Sequence, residues 1–424
     1  MPSNADASSS MRRTLGLSQA VTIGIASMIG AGVFVVWAPA AQRAGGWLLL
    51  SLMLVAVVAA CNAYTSAILA VRYPAAGGTY VYGTRCLGPF AGYLAGWCFV
   101  VGKIASCAAM ALTIGVYLVP DHERIAAVLA VLVLSAANAF GAHRSASLSK
   151  VLVSVVLSVL AGLAISTLWA AVTGSPSLAS AASSKAMEPT AYGVFQAAGL
   201  LFFAFAGYAR IATLAEEVKN PERTLTQAVG ITFCVVVSVY VLVAMVVLAT
   251  IGVDGAAASV APVAAVADVL WGGDFGWVVQ VAVLCAAGGA LLNMLLGVSR
   301  MMLAMARDQH FPRALAFVGG PHQLPWLAEA AVTVVVLAVV LSLDVRGAIG
   351  FSSFGVLLYY AVTNLSAWTV RGSSWWRHGI PVIGLIGCLT LVATLPLPSV
   401  IGGVVVIAAG IGWYRITSMA TMRQ

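Results

Sequence analysis

Ser27-Met28-Ile29-Gly30-Ala31-Gly32-Val33-Phe34 places two glycines in the middle of an apolar stretch of membrane-crossing length, and Phe203-Ala204-Phe205-Ala206-Gly207-Tyr208 interrupts a second such stretch near the centre of the chain. Glycine weakens helical pairing. Amides and carbonyls freed at membrane depth cannot be satisfied by hydrocarbon, so such backbone must face protein, water or a ligand. Two interrupted segments in corresponding places of a polytopic chain predict a secondary transporter whose site lies between them.

The composition agrees with a membrane setting. Of 424 residues, 62% are hydrophobic and 8% charged, and the mean hydropathy is +1.02, far from the balance of a soluble domain. Against the roughly 20 residues needed to cross the hydrocarbon core, spans are expected at 15–40, 46–71, 90–118, 125–141 and 151–172. A second set falls at 191–215, 226–251, 275–303, 326–343 and 348–370, and a final pair at 379–395 and 399–414, divided by Pro396-Leu397-Pro398. With the N-terminus inside, these twelve spans put fifteen of the 21 basic residues in the cytoplasm. Four fall outside, Arg43, Arg124, Lys185 and Arg346. Lys and Arg are retained on the cytoplasmic side, so span count and cytoplasmic termini support each other. The formal charge of +8 is then a positive-inside bias and calls for no nucleic-acid partner.

The order of spans predicts the domain plan. A polar tail over 1–14 shows no cleavable signal pattern and precedes one transporter body over 15–415; a short tail over 416–424 follows. Within the body, 15–172 is a first five-helix unit and 191–370 a second. Five is odd, so the second enters the membrane from the opposite side, as an inverted repeat, with 379–414 supplying two more helices. The Ala261 to Leu270 stretch is expected to form a short interfacial helix, because Pro262 stands near its start and Gly272-Gly273 beyond its end. The seven cysteines are scattered without a CxxC pair, and the five histidines lack metal-ligand spacing. No nucleophile-base set or phosphate loop is present. Neither an enzyme nor a cofactor is expected.

Chemistry is expected at the breaks. Met28, Ile29, Gly30, Ala31 and Gly32 would expose consecutive amides at the positive end of a half-helix starting near Val33, a seat for a carboxylate. Freed carbonyls among Phe203, Phe205, Ala206, Gly207 and Tyr208 would accept from an ammonium group, with the aromatic rings closing over the ligand. The competing reading is close helix packing at small residues. Asn293 and Met294 on the eighth span are further pocket candidates. Lys103, near the middle of the third span, and Arg210, at the inner part of the sixth, are costly intramembrane charges and hence functional candidates. Lysine can lose its proton on desolvation whereas guanidinium cannot, so Lys103 is the candidate proton carrier and Arg210 the fixed charge.

Four runs carry a family resemblance: Ile29-Gly30-Ala31-Gly32-Val33-Phe34, Phe205-Ala206-Gly207-Tyr208, Ala215-Glu216-Glu217-Val218-Lys219-Asn220-Pro221-Glu222-Arg223-Thr224, and Ala306-Arg307-Asp308-Gln309-His310-Phe311-Pro312-Arg313. In these the chain resembles the amino acid/polyamine/organocation permeases over nearly its whole length. The resemblance implies an all-α membrane protein of LeuT-like architecture, a 5+5 inverted-repeat helical bundle plus two helices, with helices 1 and 6 discontinuous. It implies that Met28 to Gly32 hold the substrate carboxylate and that carbonyls near Phe203 and Ala206 hold its amino group. The segment 216–224 would form a cytoplasmic cap, with Asn220-Pro221 ending the sixth helix.

Departures from the family pattern bear on the substrate. Where many relatives carry an acid after the sixth-helix glycine, this chain has Ala209 followed by Arg210, and no Asp or Glu lies mid-span; Glu329 comes nearest. A buried counter-ion for a cationic side chain is missing. Neutral or acidic amino acids are therefore expected, carried by proton-coupled symport or by exchange in a cell membrane. Residues 281–303 contain one hydroxyl, Ser299, which argues against the sodium site of LeuT-like transporters. The alternatives are an amino-acid-sensing receptor on the same fold, a cationic amino acid or polyamine antiporter, and a channel for small neutral solutes.

Overall fold

In a computed structural model the chain is described over residues 15–74, 77–139, 146–174, 190–208, 218–319, 324–370 and 376–421. Among these residues regular structure is helical, apart from isolated bridges. The first half comprises α1 (Leu17–Met28), α2 (Gly32–Val35), α3 (Trp37–Ala44), α4 (Leu48–Arg72), α5 (Thr79–Leu87), α6 (Pro89–Leu118), α7 (Glu123–Ala139) and α8 (Ala146–Val172). The second comprises α9 (Ala191–Phe205), α10 (Pro221–Ala258), α11 (Pro262–Trp271), α12 (Gly276–Val283), α13 (Gly289–Arg307), α14 (Trp326–Ser342) and α15 (Val345–Thr369). Last come α16 (Trp376–Thr394) and α17 (Leu397–Thr421).

Local signals set several helix ends. Thr190 caps α9 by accepting from Gly193 N at 3.0 Å, and Asp344 caps α15 by accepting from Gly347 N at 2.8 Å, each satisfying an orphan amide of a first turn. Gly88, at φ 103°, closes α5 in a conformation that a side chain would strain. Pro89 then opens α6 at a position where its missing N–H costs nothing.

Among the described residues, nine helical segments are long and apolar enough to cross a membrane, and the four shorter apolar helices are 191–205, 262–271, 326–342 and 378–394. The large apolar side chains turned outward, such as Ile165, Trp169 and Val172 on α8, face where lipid solvates them, while backbone groups are satisfied within each helix. The chain is an all-helical multi-pass membrane protein. The short helix expected at 261–270 is α11. One expectation is corrected: Asn220-Pro221 opens α10 rather than ending the helix before it. Asn220 adopts the left-handed conformation and Pro221 takes the first helical turn, where proline fits best.

At the centre lies α6, with 89% of its most apolar window buried, against 17% for 120–139 and 397–417. Its close partner is α15. A Cβ on Gly355 would stand 2.8 Å from Gly102 Cα and 2.9 Å from Cys98 O, and the Ser106 and Ser352 hydroxyls meet at 2.6 Å. Small residues let two backbones approach, which is how helices associate where lipid removes the hydrophobic drive. Around this pair α4, α15 and α16 enclose a polar knot. Asn364 Nδ2 donates to Asn62 Oδ1 at 2.6 Å, Thr65 Oγ1 donates to Asn364 Oδ1 at 3.0 Å, and Asn62 Nδ2 donates to Cys388 Sγ at 3.3 Å. All four side chains are buried, and in a dry interior each must find such a partner.

A second knot ties the end of α13 to α5 and α17. Tyr80 Oη donates to Asp308 Oδ2 at 2.5 Å and lies 3.0 Å from His310 Nδ1, while Trp413 Nε1 donates to His310 O at 2.8 Å.

Candidate functional site

The first break is open over three residues. α1 ends at Met28, Ile29 leaves helical geometry at φ −81° and ψ 77°, and α2 begins at Gly32. The amides of Ala31, Gly32 and Val33 meet no acceptor among the described residues. At the second break α9 ends at Phe205 and residues 206–208 form a turn. Neither break uses glycine to reach positive φ. Their glycines serve close approach instead. A Cβ on Gly32 would lie 2.6 Å from Ala204 Cα, one on Gly207 would collide with Ser27 O, and one on Gly30 would press on Ala290 Cβ at 3.2 Å. Thus α13 passes the first break at Ala290, and the two breaks, far apart in sequence, lie against each other.

Three side chains from two other helices engage the freed backbone. Tyr240 of α10 places its hydroxyl 2.7 Å from Met28 O and 2.8 Å from Ala204 O. A hydroxyl has one proton to donate, so the two carbonyls share it. Tyr117 of α6 donates to Phe34 O at 2.8 Å and stacks edge-on against the Phe34 ring at 6.0 Å. Lys103 of α6 donates from Nζ to Ala206 O at 3.0 Å and is buried. Aromatic rings line the second break: Phe205 meets Tyr240 edge-on at 5.0 Å, and Tyr208 lies 4.8 Å from the Tyr360 ring. Asn364 Nδ2 donates to Tyr360 O at 3.0 Å, linking the polar knot of α4, α15 and α16 to this wall.

The sequence-derived candidates divide as follows. Met28, Ile29, Gly30, Ala31, Gly32, Phe203, Phe205, Ala206, Gly207 and Tyr208 converge on one locus, and Lys103 joins them through Ala206. Phe203 is buried in the same core. Asn293, one turn from Ala290 on α13, is exposed, and Met294 packs partly buried against the core. Arg210, with Ala209, lies outside the described residues. Tyr240, Tyr117 and the Asn62, Thr65 and Asn364 set were not anticipated. The available signal was weak: a polar tip within an otherwise apolar span, whose partner the sequence does not name. Among the described residues no three of His, Cys, Asp and Glu converge as a metal site.

Comparison with known proteins identifies a family. The amino acid permease family profile matches residues 19–405. An uncharacterized transporter of Mycobacterium tuberculosis H37Rv is 50% identical over 419 residues, covering 97% of this chain and 93% of that protein; one from Mycobacterium bovis matches equally. More distantly, the vacuolar cationic amino acid transporter 2 of Arabidopsis thaliana is 26% identical over 392 residues, 85% of this chain and 60% of its own length. Cationic amino acid transporter 4 of Homo sapiens is likewise 26% identical, over 397 residues, with 85% and 60% covered. The chain belongs to the amino acid permease family, whose members are transporters and not enzymes.

Proposed function

We propose that the chain carries α-amino acids across a cell membrane by alternating access, as a 5+5 inverted repeat with two added helices, twelve spans in all, and cytoplasmic termini. The observation that carries this reading is the contact between the two breaks. It sets the unfilled amides of Ala31, Gly32 and Val33 on one side, donors for a carboxylate, and the end of α9 on the other, whose carbonyls near Phe203 and Ala206 are the acceptors for an ammonium, Ala206 O sharing its lone pairs with Lys103. Backbone groups recognise the amino acid moiety and leave the side chain to the surrounding walls.

Substrates without a cationic side chain, neutral or acidic amino acids, fit this charge arrangement best. Some distant relatives bear the name cationic amino acid transporter. Here the buried charge at the second break is the ammonium of Lys103, which repels a second cation. Lys103, bound to the backbone that must rearrange, is also the group suited to couple transport to protons, by symport or by exchange; Arg210 is a fixed charge on the sixth segment.

Purified protein in liposomes tests the proposal. A thermal-shift screen against the amino acids should show ligands that raise the apparent stability, and the same compounds should move by counterflow. Binding without flux would indicate a receptor, and flux without counterflow a channel; either result overturns the carrier reading. A Lys103→Ala protein that still concentrates substrate down a pH gradient would remove the coupling role.

A further inference from the structure

Lys103 is under-satisfied. Its ammonium carries three N–H donors, of which one is taken by Ala206 O at 3.0 Å and two have no partner among the described residues. Among the described residues no carboxylate pairs with it; the one buried acid among them, Glu329, stands on α14 beside Asn138. Two residues beyond Ala206, the Tyr208 hydroxyl is likewise buried and makes no hydrogen bond of normal geometry among the described residues, Asn62 and Tyr360 being its polar neighbours. The unfilled side-chain valences of Lys103 and Tyr208 are thus donors or can act as such, and Lys103 puts a positive charge here that is 4% exposed. A buried, uncompensated ammonium is costly, and a charge-assisted bond to an anion relieves that cost most effectively.

We propose that Lys103 is a specificity-determining residue that binds the side-chain carboxylate of an acidic amino acid, so that the preferred substrates are of the aspartate and glutamate class. The inference rests on reading the two breaks as an amino acid site, and it adds the third point of attachment. The α-carboxylate takes the amides of the first break and the α-ammonium takes carbonyls of the second. The distal carboxylate accepts from the two open N–H groups of Lys103 and from Tyr208 Oη. An amide side chain of the same shape offers one neutral oxygen and an NH2 group that faces the ammonium donor to donor. A cationic side chain meets like charge.

The test compares isosteric pairs on the full-length protein in nanodiscs at constant pH: L-glutamate against L-glutamine, and L-aspartate against L-asparagine, with L-lysine as the cationic member. One charge-assisted contact predicts a preference for the acid of about tenfold to a hundredfold. Lys103→Gln should bring the acid-to-amide ratio close to one, and Lys103→Arg, which keeps the charge, should retain a preference for the acid. Reading a ratio within each variant separates recognition from any general loss of affinity. Should Lys103→Gln fail to give a monodisperse protein, the parent and Lys103→Arg measurements decide. Parent protein that binds the amides as tightly as the acids, or a Lys103→Gln variant that keeps the full preference, overturns this proposal while the amino acid reading stands. Failure of every amino acid to bind overturns both.

Discussion

A single methyl group at position 32 should push the two breaks apart. The Cβ of Gly32→Ala would stand 2.6 Å from Ala204 Cα and 2.8 Å from Ala204 Cβ, whereas carbon atoms rest near 3.5–4.0 Å, so one break must retreat by about 1 Å. Rotation of a side chain cannot absorb this, because Ala204 Cα is backbone of α9, itself packed on α3, α4, α15 and α16. A retreat of that size also carries Ala204 O, now 2.8 Å from Tyr240 Oη, out of hydrogen-bonding range. Overpacking costs about 1–3 kcal/mol and a lost hydrogen bond about 1 kcal/mol, together roughly 2–4 kcal/mol. The assay is the melting temperature of purified protein alongside counterflow in liposomes, and both should fall, with Gly32→Val worse than Gly32→Ala. A second substitution, Ala204→Gly, removes the 2.8 Å contact but leaves the one at 2.6 Å, so the double variant should recover only in part. Parent-like stability and counterflow in Gly32→Ala, or complete recovery in the double variant, would refute the reasoning.

Two further outcomes follow from the same contacts. Tyr240→Phe removes the donor shared by Met28 O and Ala204 O; Met28 O keeps its bond from Gly30 N at 3.0 Å, so the expected loss is about 1–3 kcal/mol, measured by thermal unfolding; a variant as stable as the parent would show that the hydroxyl is not what joins the breaks. At the α13 end, burial pushes the His310 imidazole below its ordinary value, with Asp308 opposing the shift. The unfolded chain then binds more protons than the folded one as pH falls through the usual histidine range, so stability should decline on acidification there. His310→Asn should flatten that part of the melting-temperature profile, and an unchanged slope would show that the sensitivity arises elsewhere.

Hydropathy, charge placement and glycine position are local properties of the chain, and they suffice to locate the helices and the two breaks. Each depends on whether a stretch of about twenty residues can satisfy its own backbone in hydrocarbon, which a linear sequence states directly. The Asn220-Pro221 boundary was misread because a proline after a helical run and a proline opening the next helix look alike until the chain's path is known. What lies against a break is another matter. Lys103 reaches Ala206 across 103 residues and Tyr240 reaches Met28 across 212, and no local pattern encodes such pairings.

The sequence by itself therefore determined that this is a multi-helix membrane protein with backbone exposed at two depths, and that Lys103 is a costly buried charge. Only the tertiary structure decided that Gly32 and Gly207 bring the breaks into contact, that one tyrosine hydroxyl spans them, and that the lysine stands on a freed carbonyl with two donors open among the described residues. The physical reason is range: helix formation is settled by neighbours a few residues away, whereas a polar group buried in a membrane takes its partner from whichever helix packing brings within 3 Å.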